Sequence, residues 1–222
     1  MNAIKTIFLK EIKIEFRNKQ MINNYLLLSV MIIASFRFAF SIIDFSLLLI
    51  ASPIIWITFF FSGMFSLSPT YKRELEEGTC EGLLLAPISN SSIYFGKFLS
   101  NFLVILLLEL FSLLIFFVFF SIATPDLVAL FILIIIGTIG FAALGNIISA
   151  ISSNLSQSEV MLPVLLVPIL LFTIVISAIS ATSKIFEGAH LFDVMQEVRF
   201  ILMFDVVFLA IGYLLIDYIL GD

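Results

Sequence analysis

Residues 98–121 read FLSNFLVILLLELFSLLIFFVFFS, and this stretch indicates the fold class of the whole chain. Glu109 is its only ionisable residue. A helix needs about 20 apolar residues to cross the hydrocarbon core of a bilayer, so the stretch is long enough to span a membrane. Five more apolar runs of similar length lie along the chain. We therefore predict six transmembrane helices, at about 22–42, 47–67, 98–121, 126–151, 159–180 and 199–220.

The composition supports the same class. Of the 222 residues, 62% are hydrophobic and 12% are charged, against about 25% charged residues in an ordinary soluble domain. This composition excludes a soluble enzyme, a nucleic-acid-binding protein and a disordered chain. The single cysteine excludes a disulfide framework and a cysteine-built metal site, and we predict no metal site. The chain is predicted to be one all-α polytopic membrane domain, residues 1–222, surrounded by the lipid bilayer.

Residues 1–20 precede the first span and have a pattern of their own. Large apolar residues recur every four positions, and five lysine or arginine residues lie among the other positions. The apolar positions are Ile4, Phe8, Ile12 and Phe16. This spacing predicts an amphipathic helix that lies in the plane of the lipid headgroups. An anchor that only sets the orientation of the first span would need the same residues, so both interpretations stay open.

The lysines and arginines are distributed unevenly along the chain. Eight of the 11 lie in residues 1–20 or in the connection 68–97 between the second and third spans. Since cytoplasmic loops of membrane proteins carry an excess of lysine and arginine, this distribution predicts a cytoplasmic N-terminus. Six spans return the C-terminus to the same side, and the long connection 181–198 is then on the far side.

The connection between the second and third spans contains the most informative segment, residues 71–87, YKRELEEGTCEGLLLAP. Its first half is densely charged, and three consecutive leucines follow in its second half. Charged residues followed by exposed leucines indicate a short helix that docks on another protein. A helix that rests on the lipid surface would show the same pattern. The chain has no GxxxxGK[ST] phosphate-binding loop, so ATP hydrolysis would require a separate protein.

Glu109 lies in the middle of the third span, where an unpaired carboxylate costs on the order of 3 kcal/mol. It must therefore be protonated, paired or in contact with water. In one interpretation it lines a translocation path or relay, and in the other it forms a hydrogen bond between helices. Arg37 and Asp205 are nearer to the ends of their spans, where we expect their charged groups to reach the interface.

The fourth and fifth spans each carry a feature that affects packing. One face of the fourth span is composed of small residues, which suits close packing against another helix, a gate or a dimer seam. Its members are Thr138, Ala142, Gly145, Ser149 and Ser152. In the fifth span, Pro163 and Pro168 each remove a backbone donor and predict a kink, which acts as a hinge or fits the neighbouring helices.

Several of these segments together resemble a known family. Arg73-Glu74 with Gly78, the run EGLLLAP at 81–87 and Gly96-Lys97 resemble the signature loop of ABC-2-type transporter permeases. Over nearly its whole length the chain resembles the haem exporter protein B (CcmB) family, the permease subunit of the cytochrome c maturation transporter. The other stretches that carry this likeness are Lys10-Glu11 with Glu15 and Arg17, GTIGFAALG at 137–145, Glu159 with Pro163 and Pro168, Phe204-Asp205 and Asp217-Tyr218.

The resemblance implies that the segment 71–87 holds a coupling helix, which docks in a groove of a cytoplasmic ABC ATPase. The residues that it assigns to this surface are Arg73, Glu74, Gly78, Glu81, Gly82, Leu83, Leu84 and Pro87. It also implies a second copy of the permease, a haem-handling membrane subunit and a small single-span subunit as partners. The implied location is the bacterial inner membrane, or the mitochondrial inner membrane of a lineage that retains the bacterial-type system.

The implied function is haem export or delivery for cytochrome c maturation, driven by ATP hydrolysis in the partner. Haem is then cargo, and we expect this chain to bind no cofactor of its own. Two alternatives fit the same residues: an ABC-2-type permease for a different cargo, and a non-transporting subunit that couples ATP hydrolysis to release of a haem-loaded chaperone. His190, the single histidine, lies in the far-side connection and is either a weak candidate haem ligand or an ordinary polar residue.

Overall fold

A computed structural model describes residues 2–41, 47–67, 71, 74, 78–79, 82, 85–122, 126–152 and 158–220. The regular elements in these ranges are all helical. They are α1 (Asn2–Arg17), α2 (Lys19–Ser41), α3 (Leu47–Leu67), α4 (Asn90–Phe120), α5 (Leu127–Ser152), α6 (Ser158–Leu170), a π-helical turn (Leu171–Val175), α7 (Ile176–Phe186), a 3₁₀ turn (Leu191–Val194) and α8 (Met195–Leu220).

Six of these segments are long and apolar enough to cross a membrane. The fifth is composite, because it joins the end of α6, the π-helical turn and α7. The predicted class, an all-α polytopic membrane protein with six spans, is therefore confirmed for the described residues. The six segments are Lys19–Ser41, Leu47–Met64, Asn90–Phe120, Leu127–Ser152, Val164–Phe186 and Leu191–Tyr218.

The third span, α4, begins at Asn90, several residues before the predicted start at 98. The side chain of Ser89 caps the helix by accepting a hydrogen bond from the backbone N–H of Ser92, which satisfies one of the free donors at the helix start. At the other end, the side-chain Nε of Arg37 donates to the carbonyl oxygen of Phe119 at 3.0 Å. Arg37 therefore compensates the free carbonyls and the partial negative charge at the C-terminus of α4.

Helix α5 is the centre of the bundle. Every residue from 140 to 150 is buried, as expected for a helix that is apolar on all sides. Gly145 faces α3 so closely that an added Cβ atom would lie 2.2 Å from Cδ1 of Leu67. The small residues of the fourth span therefore lie inside the bundle of this one chain. All five are buried: Thr138, Ala142, Gly145, Ser149 and Ser152.

Helix α3 is also tied to α7. The indole Nε1 of Trp56 donates to Oγ1 of Thr182 at 2.8 Å, and both residues are buried. Because a buried indole N–H needs a partner, this bond fixes the rotation of α3 against the fifth span. On its other side, the Trp56 ring fills the space next to Gly137, where an added Cβ would lie 2.6 Å from the ring.

The fifth span departs from regular α-helix at Leu171–Val175, a π-helical turn three residues after Pro168. Pro168 lacks the N–H that would bond to the carbonyl of Val164, so the helix is already weakened at this point. Single π-helical turns are frequent at functional sites. The side-chain surroundings of Pro163 lie outside the described part. A hinge in this span stays a prediction, and the π-helical turn is its best-defined position.

Helix α1 packs against the first turns of α4. Its buried face consists of Ile7, Glu11 and Glu15, which follow one another at intervals of four residues. The predicted apolar positions lie to one side of this face, and Phe16 is 53% exposed. The helix therefore presents one face to the protein and leaves apolar side chains such as Leu9 and Phe16 exposed, as an interfacial amphipathic helix requires.

Candidate functional site

A cluster of charged side chains lies where α1, the start of α4 and the connection after α3 meet. Lys97, on α4, is fully buried. Its Nζ lies 3.0 Å from Oε1 of Glu11 on α1 and 2.8 Å from Oε2 of Glu74 in the connection. One ammonium group therefore joins two segments that are far from it in the sequence. We call Lys10, Glu11, Glu74 and Lys97 the charge cluster.

Lys10 is the second cation of this cluster. Its Nζ donates to Oε1 of Glu74 at 2.5 Å and lies 3.3 Å from Oε1 of Glu11. The ring of Tyr71 covers Lys97, with Nζ 4.7 Å from the ring centroid. A cation over the face of an aromatic ring is attracted to the electrons of that ring. Tyr71 and Glu74 have helical backbone and are buried, so they attach the connection to the bundle. We call these two residues the loop foot, or the foot.

Electrostatics favour the ionised forms of Glu74 and Lys10. Burial by itself raises the pKa of the Glu74 carboxyl, but the charge of Lys97 and hydrogen bonds from Lys10 and Lys97 outweigh it, so the pKa is lowered. Burial lowers the pKa of Lys10, but its bond to Glu74 and the nearby carboxylates raise it above its usual value. Burial raises the pKa of the Tyr71 phenol. At neutral pH the carboxylate of Glu74 and the ammonium group of Lys10 therefore attract each other, while the phenol of Tyr71 stays neutral.

Gly96 makes this arrangement possible. A Cβ atom at this position would lie 2.7 Å from both Cβ and Cγ2 of Ile7, and 3.3 Å from the carbonyl oxygen of Ile4. No larger residue fits between the two helices without moving one of them. The glycine brings α1 close enough to α4 for Glu11 to reach the buried Nζ of Lys97.

Most of the described residues of the connection beyond the foot are exposed. Gly78 has a φ of 67°, a left-handed conformation that favours glycine, and a Cβ at Gly82 would meet no atom within 4 Å. Leu85 is 86% exposed and Pro87 is also exposed. An apolar side chain so accessible next to a proline suits contact with another protein. We call the exposed residues Gly78, Gly82, Leu85 and Pro87 the loop tip.

The structure changes the assignment of the predicted coupling residues. Glu74 was expected on the docking surface, but only 5% of it is exposed and its carboxylate faces inward, because it pairs with Lys10 and Lys97. Gly78, Gly82 and Pro87 are exposed, as docking would require. The remaining four predicted positions lie outside the described residues: Arg73, Glu81, Leu83 and Leu84.

Glu109 is buried within α4 and bonds to the fourth span. Oγ1 of Thr138 lies 2.5 Å from Oε2 of Glu109 and also 2.6 Å from the carbonyl oxygen of Ile134. A hydroxyl group has one hydrogen, so if Thr138 donates to Ile134, the hydrogen between Thr138 and Glu109 must come from a protonated Glu109. The geometry therefore favours a neutral carboxyl group that donates to Thr138, which joins two spans by a hydrogen bond.

We expect Glu109→Gln to change the free energy of unfolding by less than about 1 kcal/mol, because the amide group replaces the donor of a neutral carboxyl. Thermal unfolding of the purified protein in detergent measures this change. Near-normal function of the chain in cells should accompany it. Loss of function at normal protein abundance would show that the ionisable group itself has a role.

Asp205 does not reach the membrane interface, so the expectation for this residue was wrong. It lies near the middle of α8 and is 3% exposed. Its carboxylate packs against α5, where a Cβ at Gly140 would lie 2.2 Å from Oδ1. The reason is packing: α8 turns this face toward the glycine, and the side chain occupies the space that a larger residue would fill. No described residue forms a hydrogen bond with either oxygen.

His190 lies in the connection between the fifth and sixth spans, at the end of the bundle opposite to the charge cluster. Its side chain is exposed, and Nδ1 is 3.2 Å from Oδ2 of Asp126, just before α5. The backbone N–H of His190 donates to Oδ2 of Asp193 at 2.8 Å. A hydrogen bond from the backbone N–H of Ala129 is the main reason that the pKa of Asp126 lies below its usual range, and the hydrogen bond with the His190 side chain is the second. The histidine thus connects two far-side segments, and haem ligation stays a prediction.

Among the described residues, no group of three or more His, Cys, Asp or Glu side chains is placed to hold a metal ion.

The sequence analysis did not identify a polar pair close to the charge cluster. Nδ2 of Asn101 lies 3.4 Å from Oδ1 of Asn146, and Nδ2 of Asn146 donates to the carbonyl oxygen of Tyr94 at 3.3 Å. The sequence did contain an indication of this pair. An asparagine lies inside each of two apolar spans, and buried amide groups require hydrogen-bond partners.

The fold and this site define a multi-pass helical membrane protein in which a buried foot attaches an exposed connection to the bundle. A family model described as CcmB protein matches residues 2–217, so the chain belongs to the CcmB family. The comparison with curated proteins gave no match. Membership of this family makes the chain a membrane subunit of the haem exporter ABC transporter for cytochrome c maturation. It is a transporter permease subunit and not itself an enzyme.

Proposed function

We propose that the loop tip docks on a separate cytoplasmic ABC ATPase and that ATP hydrolysis there moves the spans of this chain. The observation that supports this most directly is the division of one connection into a buried foot and an exposed tip. The foot is held by paired charges, and the tip exposes Leu85 and Pro87. A surface that receives force from a partner needs both an accessible contact and a rigid attachment.

The proposal includes an orientation of the chain in the membrane and a set of partner proteins. Most lysines and arginines lie in α1 and the 68–97 connection, so we place the N-terminus and the C-terminus in the cytoplasm of a bacterial cell, with the spans in the inner membrane. A second copy of the permease, a haem-handling membrane subunit and a small single-span subunit complete the proposed complex. In this complex the chain serves delivery of haem across the membrane.

A cavity next to Glu109 bears on the cargo. Residues of the second, third, fourth and fifth spans line it. Its volume is about 10 Å³, which is room for about one water molecule. Pockets for drug-sized ligands have volumes of about 300–1,000 Å³. Haem therefore does not pass through this cavity in the conformation described. A path for haem would then lie elsewhere in the complex, or ATP hydrolysis would release a haem-loaded chaperone, as in the alternative.

Reconstitution separates these two functions. The complex is placed in liposomes with haem outside, and both internal haem and free chaperone are measured with and without ATP. Net ATP-dependent movement of haem supports transport. ATP-dependent release of chaperone without movement of haem supports the alternative and contradicts transport.

We expect Gly82→Arg to reduce co-purification of the ATPase by about tenfold, because a long charged side chain would occupy the docking surface at a point that has space for it in the free chain. Pro87→Asp should have the same effect. Co-purification from detergent extracts measures it, with membrane abundance recorded in parallel. Glu187→Arg is the control, since Glu187 is exposed in the far-side connection. Unchanged co-purification of both loop variants would contradict the docking assignment.

A further inference from the structure

The charge cluster joins three segments in pairs. Glu74 connects the loop foot to α4 through Lys97 and to α1 through Lys10, and Glu11 connects α1 to α4 through Lys97. Each segment is therefore held by both of the others. We propose that α1, the loop foot and the start of α4 move as one unit, and that Lys97 is the positioning residue that transmits motion of the loop tip to the spans.

This inference rests on the proposed docking of an ATPase and goes further, because it names the residues that carry the motion. The contacts are suited to this task. Buried ion pairs fix distance and direction, whereas apolar contacts are non-directional and permit sliding. Removing one partner of a buried pair leaves an uncompensated charge, so the segments resist separation. The Nζ of Lys97 is shielded from water on one side by the ring of Tyr71.

Helix α1 has a second contact with α4 that does not depend on charge. Gly96 and Ile7 meet so closely that Cβ atoms at these two positions would be 2.7 Å apart. On the apolar side of α1, Ile12 packs against the buried cluster that contains Tyr25 and Leu108, while Leu9 and Phe16 are exposed. The helix is therefore attached firmly to α4 and presents exposed apolar side chains to the headgroup region.

The two contacts allow a test by crosslinking. Cβ atoms in a disulfide are about 3.5–4.5 Å apart, so Ile7→Cys with Gly96→Cys requires a shift of only about 1 Å. Cys80→Ser removes the only native cysteine. The rate of ATP hydrolysis is measured on the purified complex with the ATPase in nanodiscs, after oxidation and again after reduction. If α1 and α4 move together, the two rates should agree within about twofold.

A second arm tests Lys97 itself. Lys97→Met should keep the ATPase bound but lower the rate of ATP hydrolysis by about tenfold, because the loop foot is no longer tied to α4. Oxidation of the 7–96 pair should restore most of the rate, since the foot stays attached to α1 through Lys10 and Glu74. Adding Lys10→Met should abolish this rescue. A residue that only stabilises the fold would show lower abundance and no rescue.

The outcomes are distinct. If the ATPase fails to co-purify with the wild-type chain, the proposed function is wrong. If it binds and hydrolyses ATP but oxidation of the 7–96 pair stops hydrolysis and reduction restores it, α1 moves against α4 and this inference is overturned. If Lys97→Met does not fold, oxidation of the 7–96 pair with all native charges present still decides whether α1 and the start of α4 move together.

Discussion

Lys97→Ala is expected to lower the free energy of unfolding by about 3–5 kcal/mol, the largest effect of any single substitution considered for this protein. The lysine is fully buried and its ammonium group compensates two carboxylates, those of Glu11 and Glu74. Without it, both carboxylates remain in an environment with little water. Lys10 reaches the same two groups but is partly exposed, so it compensates them incompletely.

The measurement is the midpoint of thermal unfolding in detergent, followed by circular dichroism or by the soluble fraction after heating. Lys13→Ala is the matched control, because Lys13 lies on the same helix as Lys10 and is exposed. Its effect should stay within about 0.5 kcal/mol. Combining Lys97→Met with Glu74→Gln and Glu11→Gln should recover part of the loss, because neutral groups replace unpaired charges. Equal midpoints for Lys97→Ala and Lys13→Ala would show that the charge cluster adds no stability.

Gly145→Leu is expected to destabilise the bundle by about 1–3 kcal/mol or more. An added Cβ alone would lie 2.2 Å from Cδ1 and 2.8 Å from Cδ2 of Leu67, which is itself fully buried. Real Cβ atoms do not approach other atoms so closely, so either the buried side chain of Leu67 must shift or α3 and α5 must separate. Leu67 is the last residue of α3, and its displacement would also disturb the start of the connection that carries the loop foot.

A paired substitution checks this explanation. Leu67→Ala with Gly145→Leu moves the large side chain from one helix to the other and should recover at least about half of the lost stability. Gly82→Leu is the control for the change of residue type, since a Cβ there meets no atom within 4 Å. Thermal unfolding in detergent is again the measurement. Failure of the pair to recover any stability would mean that Gly145 matters for a reason other than contact with Leu67.

The spans were predictable because each apolar run carries its own evidence. Six runs predicted from hydrophobicity correspond to six helices long enough to cross a membrane. The boundaries were harder, since α4 begins at Asn90 and includes Lys97 and Asn101 before its apolar part. Polar residues usually mark the end of a span. Here they lie inside a helix because neighbouring segments supply their partners.

The site was predictable only in part. The exposed positions of Gly78, Gly82 and Pro87 fit the predicted docking surface. Glu74 belongs to the same sequence motif, but its side chain is buried. A motif identifies which residues occur together and not which way each side chain points. In α1, the interval of four residues from Ile7 to Glu11 and Glu15 was a signal that one face is buried. The apolar residues Ile4, Phe8, Ile12 and Phe16 of the same helix have the same interval, and they concealed it.

The sequence by itself determined that this protein is a six-span helical membrane protein with its charge concentrated in α1 and one connection. It could do so because transfer into lipid depends on the hydrophobicity of each segment separately. The tertiary structure decided which charges are paired, because Lys10 and Glu74 are 64 positions apart and Glu11 and Lys97 are 86 apart. Whether a buried charge is tolerated depends on neighbours that only the folded chain brings together.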